Sequence, residues 1–137
     1  MSRKNAREIA FKLTFEYLFS NTVNNKTVEM LCLDKSLTEE DKQYIDAVYN
    51  GVVEHFDEFS ALIDKYAAGF KLERIYKPDL AVLLFAIYEI KYMPDIPNAV
   101  TINEAIELVK AYSDKKSYSF VHGILTSVIK EVNNGNN

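Results

Sequence analysis

The sequence predicts an all-α protein with about seven helices. Apolar residues recur at spacings of three and four along most of the chain, and no segment keeps the period-two alternation of a strand. Capping residues, prolines and glycines fall between the periodic segments. With 137 residues, of which 48% are hydrophobic, the chain can bury one core. We expect a single domain over residues 1–132 and a disordered tail over residues 133–137.

Residues 3–20 form the first predicted helix. Its core face carries five residues at helical spacing: Ala6, Ile9, Ala10, Leu13 and Tyr17. The opposite face mixes basic and aromatic side chains: Arg3, Lys4, Arg7, Phe11, Phe15 and Leu18. Cations in a first turn oppose the helix dipole by about 0.3–1 kcal/mol each, which suggests another use for them. Cations for phosphates and aromatics for bases are typical of single-stranded RNA recognition. The alternative is that Phe11 and Phe15 pack on a neighbouring helix and the charges are only solvated.

The middle of the chain contains clear helix boundaries. They are Thr38 with Asp41 at a start, Gly69 at an end, and Pro78, Pro94 and Pro97 around a further helix. The helix that begins at Pro78 contains a continuous apolar run over residues 80–87. This run predicts a helix that is buried on nearly all sides and lies at the centre of the fold.

The C-terminal stretch predicts a helix, a polar loop and a second helix. The T-x-x-E spacing of Thr101 and Glu104 predicts a capping box, and Ser117 a cap for the last helix. Gly123 lies in the middle of that helix, where glycine costs about 1 kcal/mol relative to alanine. We interpret it as a point of close helix–helix approach.

Three places in the sequence are candidates for binding. The first is the basic and aromatic face of the N-terminal helix. The second is the loop at 114–120, where Lys115 and Lys116 precede Phe120. The third is Tyr66, taken with Arg74 and Asp79.

Catalysis has little support in the sequence. The two histidines, His55 and His122, lack a triad or metal-ligand spacing, and Glu104 and Glu107 lack the Glu-x-x-His partners of a di-metal bundle. The glycines are scattered and form no phosphate loop. Cys32 is the single cysteine and is expected to be a small buried hydrophobe. We therefore expect no enzyme activity, no metal and no cofactor.

The charge and hydropathy of the chain argue against three classes of protein: general nucleic-acid coating proteins, membrane proteins and secreted proteins. The net charge of −4 argues against wholesale coating of nucleic acid, although the first helix concentrates basic residues. No apolar run of membrane-spanning length and no secretory signal pattern is present, so we expect a cytoplasmic protein with no membrane partner.

The C-terminal stretch also carries a resemblance to a known family. Residues 100–107 (VTINEAIE), Lys110 and residues 120–125 (FVHGIL) resemble the C-terminal signature of the NusB family of bacterial antitermination factors. Its usual pattern is V-x-I-N-E-A-h-E, a lysine, then F-V-N-G-h-L, so His122 replaces the usual asparagine. Residues 6–8 (ARE) and 88–89 (YE) extend the resemblance over nearly the whole chain. It implies a fold of two small packed helical bundles.

The resemblance also implies a function. NusB proteins bind the boxA element of nascent RNA as a heterodimer with the ribosomal protein NusE, and join other Nus factors on RNA polymerase in ribosomal RNA operons. Together with the residue patterns, it assigns RNA binding to Arg3, Lys4, Arg7, Tyr66, Lys115, Lys116 and Phe120. It places Phe15 and Asp79 where the family contacts NusE, and we group Arg74 with them as a partner-binding residue because it lies in the same candidate place as Asp79.

Two alternatives stay open at this point. One is a helical protein–protein adaptor with no direct RNA role. The other is a detached helical accessory domain of an RNA cytosine methyltransferase, which resembles NusB; 137 residues leave no room for the catalytic domain.

Overall fold

The computed structural model describes residues 2–31, 33 and 36–135, and these form seven α-helices. They are α1 (Ser2–Ser20), α2 (Asn25–Leu31), α3 (Glu39–Glu54), α4 (Phe56–Tyr66), α5 (Lys77–Tyr92), α6 (Asn98–Tyr112) and α7 (Ser117–Gly135). A turn of 3-10 helix, Leu72–Arg74, lies between α4 and α5. The all-α prediction and the helix number are confirmed. Cys32 lies outside the described residues.

Helix α5 is the centre of the fold. It packs against α1 and α3 in one group of helices and against α4, α6 and α7 in another, and helices within each group also contact one another. Every residue from 80 to 87 is buried, as the continuous apolar run predicts. Pro78 lies in the first turn of α5, and the helix ends one residue before Met93. The two groups therefore share one hydrophobic core around α5.

The local helix signals of the middle segment are confirmed. The Thr38 hydroxyl accepts from the Asp41 N–H at 3.1 Å, and the Asp41 carboxylate accepts from the Thr38 N–H at 3.4 Å. These two bonds satisfy N–H groups that the first turn of α3 leaves free. After α4 the chain turns through Ala68 and Gly69, with φ angles of 52° and 93°. Glycine adopts this left-handed region without strain.

The predicted capping box at Thr101 is wrong. Helix α6 begins at Asn98, with Pro97 in the N-cap position at φ −60°. Proline holds φ near the helical value, which favours a helix that starts directly after it. Thr101 is instead buried in the second turn, where its hydroxyl donates to Glu89 Oε1 at 2.8 Å.

The start and the end of α7 also differ from expectation. Ser117 is the first residue of α7, and its hydroxyl donates to Asp79 Oδ2 rather than capping the helix. The tail expected from Asn133 onward is helical over residues 133–135, because extending an existing helix is far easier than starting one. Residues 136 and 137 lie outside the described residues.

The glycine at a close helix–helix approach is Gly51, not Gly123. Gly123 is exposed, and a Cβ built there would meet none of the described atoms within 4 Å. A Cβ on Gly51 of α3 would overlap the ring of Tyr88 on α5. The interpretation of Gly123 as a point of close helix–helix approach is therefore wrong, because none of the described helices packs over this position.

We expect Gly123→Ala to raise the free energy of unfolding by about 1 kcal/mol, the propensity difference between the two residues in a helix interior. The exposed site leaves room for the added methyl group. Urea denaturation followed by circular dichroism measures the change. A lower unfolding midpoint would show that the surface around Gly123 is not open.

Candidate nucleic-acid interface

Aromatic and basic side chains from five segments form one surface, which we call the aromatic–basic face. Its members come from α1, the segment before α5, the end of α6, the loop between α6 and α7, and the start of α7: Lys12, Phe15, Phe70, Arg74, Tyr76, Tyr112, Lys115, Lys116 and Phe120. Three shallow clefts make up the face, and Tyr76 lines all three. The side chain of Tyr76 is 60% exposed, so an aromatic ring is available at the junction of the clefts.

The first cleft brings together Phe120, Arg74 and Lys116 from the predicted binding set. The rings of Phe70 and Phe120 meet edge to face with centroids 5.6 Å apart. Phe70 is 54% exposed, and Arg74 and Lys116 line the same cleft. The cleft thus offers ring faces for stacking beside two cations, which is the combination that single-stranded RNA requires.

The second cleft lies between α1 and the start of α5 and is mostly apolar. Phe15 is half-buried between Phe11 and Phe19, at centroid distances of 6.2 and 5.0 Å. Phe11 is buried and packs on Tyr112 at 4.9 Å. Phe11 therefore packs on a neighbouring helix, as the alternative interpretation of the first helix expects. Phe15 remains available at the surface of the cleft.

The third cleft is formed by the loop that joins α6 and α7. Lys115 and Lys116 are exposed on this loop, and Asp79 lies beneath it and is bonded to both of its ends. Asp79 is only 4% exposed and accepts hydrogen bonds from Ser113 Oγ and Ser117 Oγ, both at 2.6 Å. The prediction of Asp79 as a partner contact is corrected, because its carboxylate oxygens are used inside the fold.

The prediction that Arg7 binds RNA is corrected in the same way. Arg7 is 6% exposed, its Nε donates to Glu89 Oε2 at 2.9 Å, and its Nη2 donates to Glu89 Oε1 at 3.4 Å. Burial disfavours the charged guanidinium and by itself lowers the pKa of Arg7. The hydrogen bond and the charge of the Glu89 carboxylate outweigh this effect, so the pKa of Arg7 is raised above its ordinary value. Tyr44 and Thr101 also donate to Glu89. Arg7 is part of a buried network and is not placed to bind a phosphate.

The other two N-terminal cations remain at the surface but outside the three clefts. Arg3 donates to Asp41 Oδ1 at 2.9 Å, and its guanidinium lies 4.6 Å from the Tyr44 ring centroid. Lys4 is exposed beside a small cleft that also contains Glu104 and Glu107. The structure therefore does not bring the N-terminal cations together with Phe120 in one cleft.

Tyr66 lies in a separate shallow cleft between α4 and α7. Its hydroxyl donates to Glu131 Oε1 at 2.6 Å, and Lys65 Nζ lies at the same distance from that oxygen. These bonds, led by that of Lys65, lower the pKa of Glu131 below its ordinary value. The Tyr66 ring is half-buried, and Lys130 lines the same cleft.

Sequence reasoning missed Tyr76 and Tyr112 as surface residues. Tyr112 lies at helical spacing from Ala105 and Val109, which predicts a core position, yet it ends α6 and is 38% exposed. Tyr76 precedes a helix and belongs to no periodic pattern. An aromatic residue just before a helix with proline in its first turn was the only available signal.

The described residues show neither a metal-binding cluster nor a membrane-spanning helix. No group of three histidine, cysteine, aspartate or glutamate side chains is arranged to hold a metal ion in this part of the chain. None of its helices is both long enough and apolar enough to cross a membrane.

The chain is similar to proteins of one family over nearly its full length. The NusB family profile matches residues 4–130. The transcription antitermination protein NusB of Ruminiclostridium cellulolyticum is 41% identical over 130 residues, which cover 95% of this chain and 90% of the relative. The transcription antitermination protein NusB of Bacillus subtilis is 36% identical over 132 residues, covering 96% and 98%.

The fold of the chain also matches solved structures of NusB proteins. NusB of T. maritima matches with a TM-score of 0.84 and 32% identity, covering 96% of this chain and 92% of the other. A structure of the antitermination factors NusB and NusE in complex with dsRNA matches with a TM-score of 0.83 and 21% identity, covering 95% and 97%. At 21% identity, the match to the complex of NusB and NusE shows a shared fold alone.

Proposed function

The chain belongs to the NusB family, and on that premise we propose that it is a non-catalytic transcription antitermination factor. It binds boxA-type single-stranded RNA together with the ribosomal protein NusE. It acts in the cytoplasm with other Nus factors and RNA polymerase to promote antitermination in ribosomal RNA operons, and it needs no cofactor. Its curated relatives carry the name transcription antitermination protein, and a structural neighbour is a complex of NusB and NusE with dsRNA.

The cleft around Phe120 is the single observation that best supports RNA binding by this chain. Phe70 and Phe120 present an edge-to-face aromatic pair next to Arg74 and Lys116. Aromatic faces stack on bases of any sequence, and cations bind the phosphates between them. This local pattern stands out because the chain as a whole is acidic, with a net charge of −4.

The apolar cleft beside it suits the protein partner. It is lined by Phe11, Phe15, Pro78, Tyr112 and Tyr76, with Lys12 at its edge. Aromatic side chains are enriched at the energetic centres of protein interfaces. Because Tyr76 lines both this cleft and the one around Phe120, a partner bound here lies directly beside the RNA.

We expect Phe120→Ala to weaken binding of a boxA-like single strand by roughly fivefold to a hundredfold, since base–aromatic stacking contributes about 1–3 kcal/mol per base. Fluorescence anisotropy with and without NusE measures the effect, with a scrambled strand for comparison. Lys116→Ala should reduce the slope of log K against log salt by about 0.7, the value for one phosphate contact on a single strand. Lys26→Ala, on α2 and outside the clefts, is the matched control.

The same measurement separates the remaining alternatives. If neither strand binds while a complex with NusE still forms, the chain is a protein–protein adaptor. The two NusB relatives described above carry the name transcription antitermination protein, which supports the antitermination factor over the accessory domain of a methyltransferase.

A further inference from the structure

Both ends of the loop between α6 and α7 are fastened to one carboxylate. Ser113 directly follows α6 and Ser117 begins α7, and the hydroxyl of each donates to Asp79 at 2.6 Å. The two hydroxyl oxygens are 3.1 Å apart, so the three side chains form one compact cluster. We call this cluster the Asp79 clamp.

The clamp is attached to the buried central helix of the fold. Asp79 lies in the first turn of α5, whose residues from 80 to 87 are all buried. A buried carboxylate is strongly unfavourable unless hydrogen bonds compensate for its lost water. Hydrogen bonds to a charged acceptor are stronger than neutral ones, so the two serine hydroxyls are held firmly. The positions of both loop ends are therefore set by the central helix.

The loop between the two serines carries the exposed lysines Lys115 and Lys116. Its own backbone is further ordered, because the Ser117 N–H donates to the Asp114 carbonyl at 2.9 Å and the Lys116 N–H donates to Asp114 Oδ1 at 3.4 Å. Lys116 lines the cleft that contains Phe120. A loop that is ordered before binding loses less conformational entropy when it binds a ligand.

We propose that Asp79 is a positioning residue for RNA binding. Through Ser113 and Ser117 it holds the loop so that Lys115 and Lys116 face the RNA backbone while Phe120 stacks on a base. Asp79 is only 4% exposed, so it acts through the loop and not as an RNA contact of its own. This inference rests on the proposed RNA-binding function and goes beyond it, because it gives an RNA-related role to a residue that the family resemblance assigns to the protein partner.

The test compares Ser113→Ala and Asp79→Asn with Ser60→Ala as the matched control. The Ser60 hydroxyl, on α4, has no hydrogen-bond partner among the described residues. We expect both clamp variants to weaken RNA binding by about threefold to tenfold, the scale of the net contribution of one ordinary hydrogen bond. They should also reduce the slope of log K against log salt by up to about 1.4, because both lysine contacts are loosened. Ser60→Ala should change neither quantity.

Two further readouts separate positioning from general destabilisation. A merely unstable variant would lower the fraction of active protein without changing the salt slope. In a chain that already carries Lys115→Ala and Lys116→Ala, the clamp variants should weaken binding no further, because the groups that the clamp positions are gone. Hydrogen exchange should show lower protection of the amides of residues 116 and 117 in Ser113→Ala.

The outcomes are distinguishable. If the unsubstituted chain binds no RNA, the proposed function fails and the RNA role of the clamp fails with it. If the unsubstituted chain binds and Ser113→Ala keeps its affinity, its salt slope and its amide protection, the clamp proposal alone is overturned. Ser113 is only half-buried, so this variant remains informative even if Asp79→Asn does not fold.

Discussion

Arg7→Ala is expected to lower the free energy of unfolding by about 3–5 kcal/mol, the usual cost of removing one partner of a buried ion pair. Glu89 is fully buried, and Arg7 supplies the only positive charge bonded to it among the described residues. Without the guanidinium, only the hydroxyls of Tyr44 and Thr101 remain to stabilise the carboxylate. The network joins α1, α3, α5 and α6, so its loss weakens contacts across the whole fold.

Urea denaturation of Arg7→Ala and of Lys4→Ala provides the comparison. Lys4 is exposed on the same helix, and a surface substitution of this kind stays within about 0.5 kcal/mol. The Arg7→Ala effect should shrink in a Glu89→Gln background, because the buried negative charge is then absent. If Arg7→Ala loses RNA affinity but keeps its stability, Arg7 contacts RNA and its bond to Glu89 is not important for folding.

Gly51→Val is the second substitution with a large expected effect, a destabilisation of about 1–3 kcal/mol from overpacking. A Cβ at this position already overlaps the Tyr88 ring. The ring cannot move away freely, because it packs against Tyr92 at 5.4 Å and Phe59 at 6.5 Å. The added side chain must therefore push α3 and α5 apart.

Gly123→Val is the matched control, since it adds the same side chain to the interior of another helix. Its site is open, so the unfolding free energy should change little or rise slightly. Thermal unfolding of the two variants should therefore differ clearly in midpoint. Equal midpoints would mean that the contact between Gly51 and Tyr88 does not limit the packing of α3 on α5.

Local signals in the sequence were reliable because their physics is local. Thr38 and Asp41 cap α3 through bonds that span three residues. Proline near the start of α5 and the apolar run after it specify a buried helix without reference to any other segment. The signature at 100–107 and 120–125 identified the family for the same reason, since it is a pattern of consecutive residues.

The errors concern residues whose partners are distant in the chain. Arg7 on a basic helix face resembles a phosphate ligand until Glu89, 82 residues away, is placed beside it. Asp79 resembles an exposed acid until two serines, 34 and 38 residues away, are seen to donate to it. Thr101 has the spacing of a cap, but the buried Glu89 takes its hydroxyl.

By itself, the sequence determined the all-α class, the helix number, the central buried helix and the family of this protein. Only the tertiary structure decided which charged side chains are structural and which glycine lies at a close approach. It also decided which aromatic rings remain at the surface. The physical reason is range: periodicity, caps and turns act within a few residues, whereas burial and ion pairing depend on segments that meet only after the chain has folded.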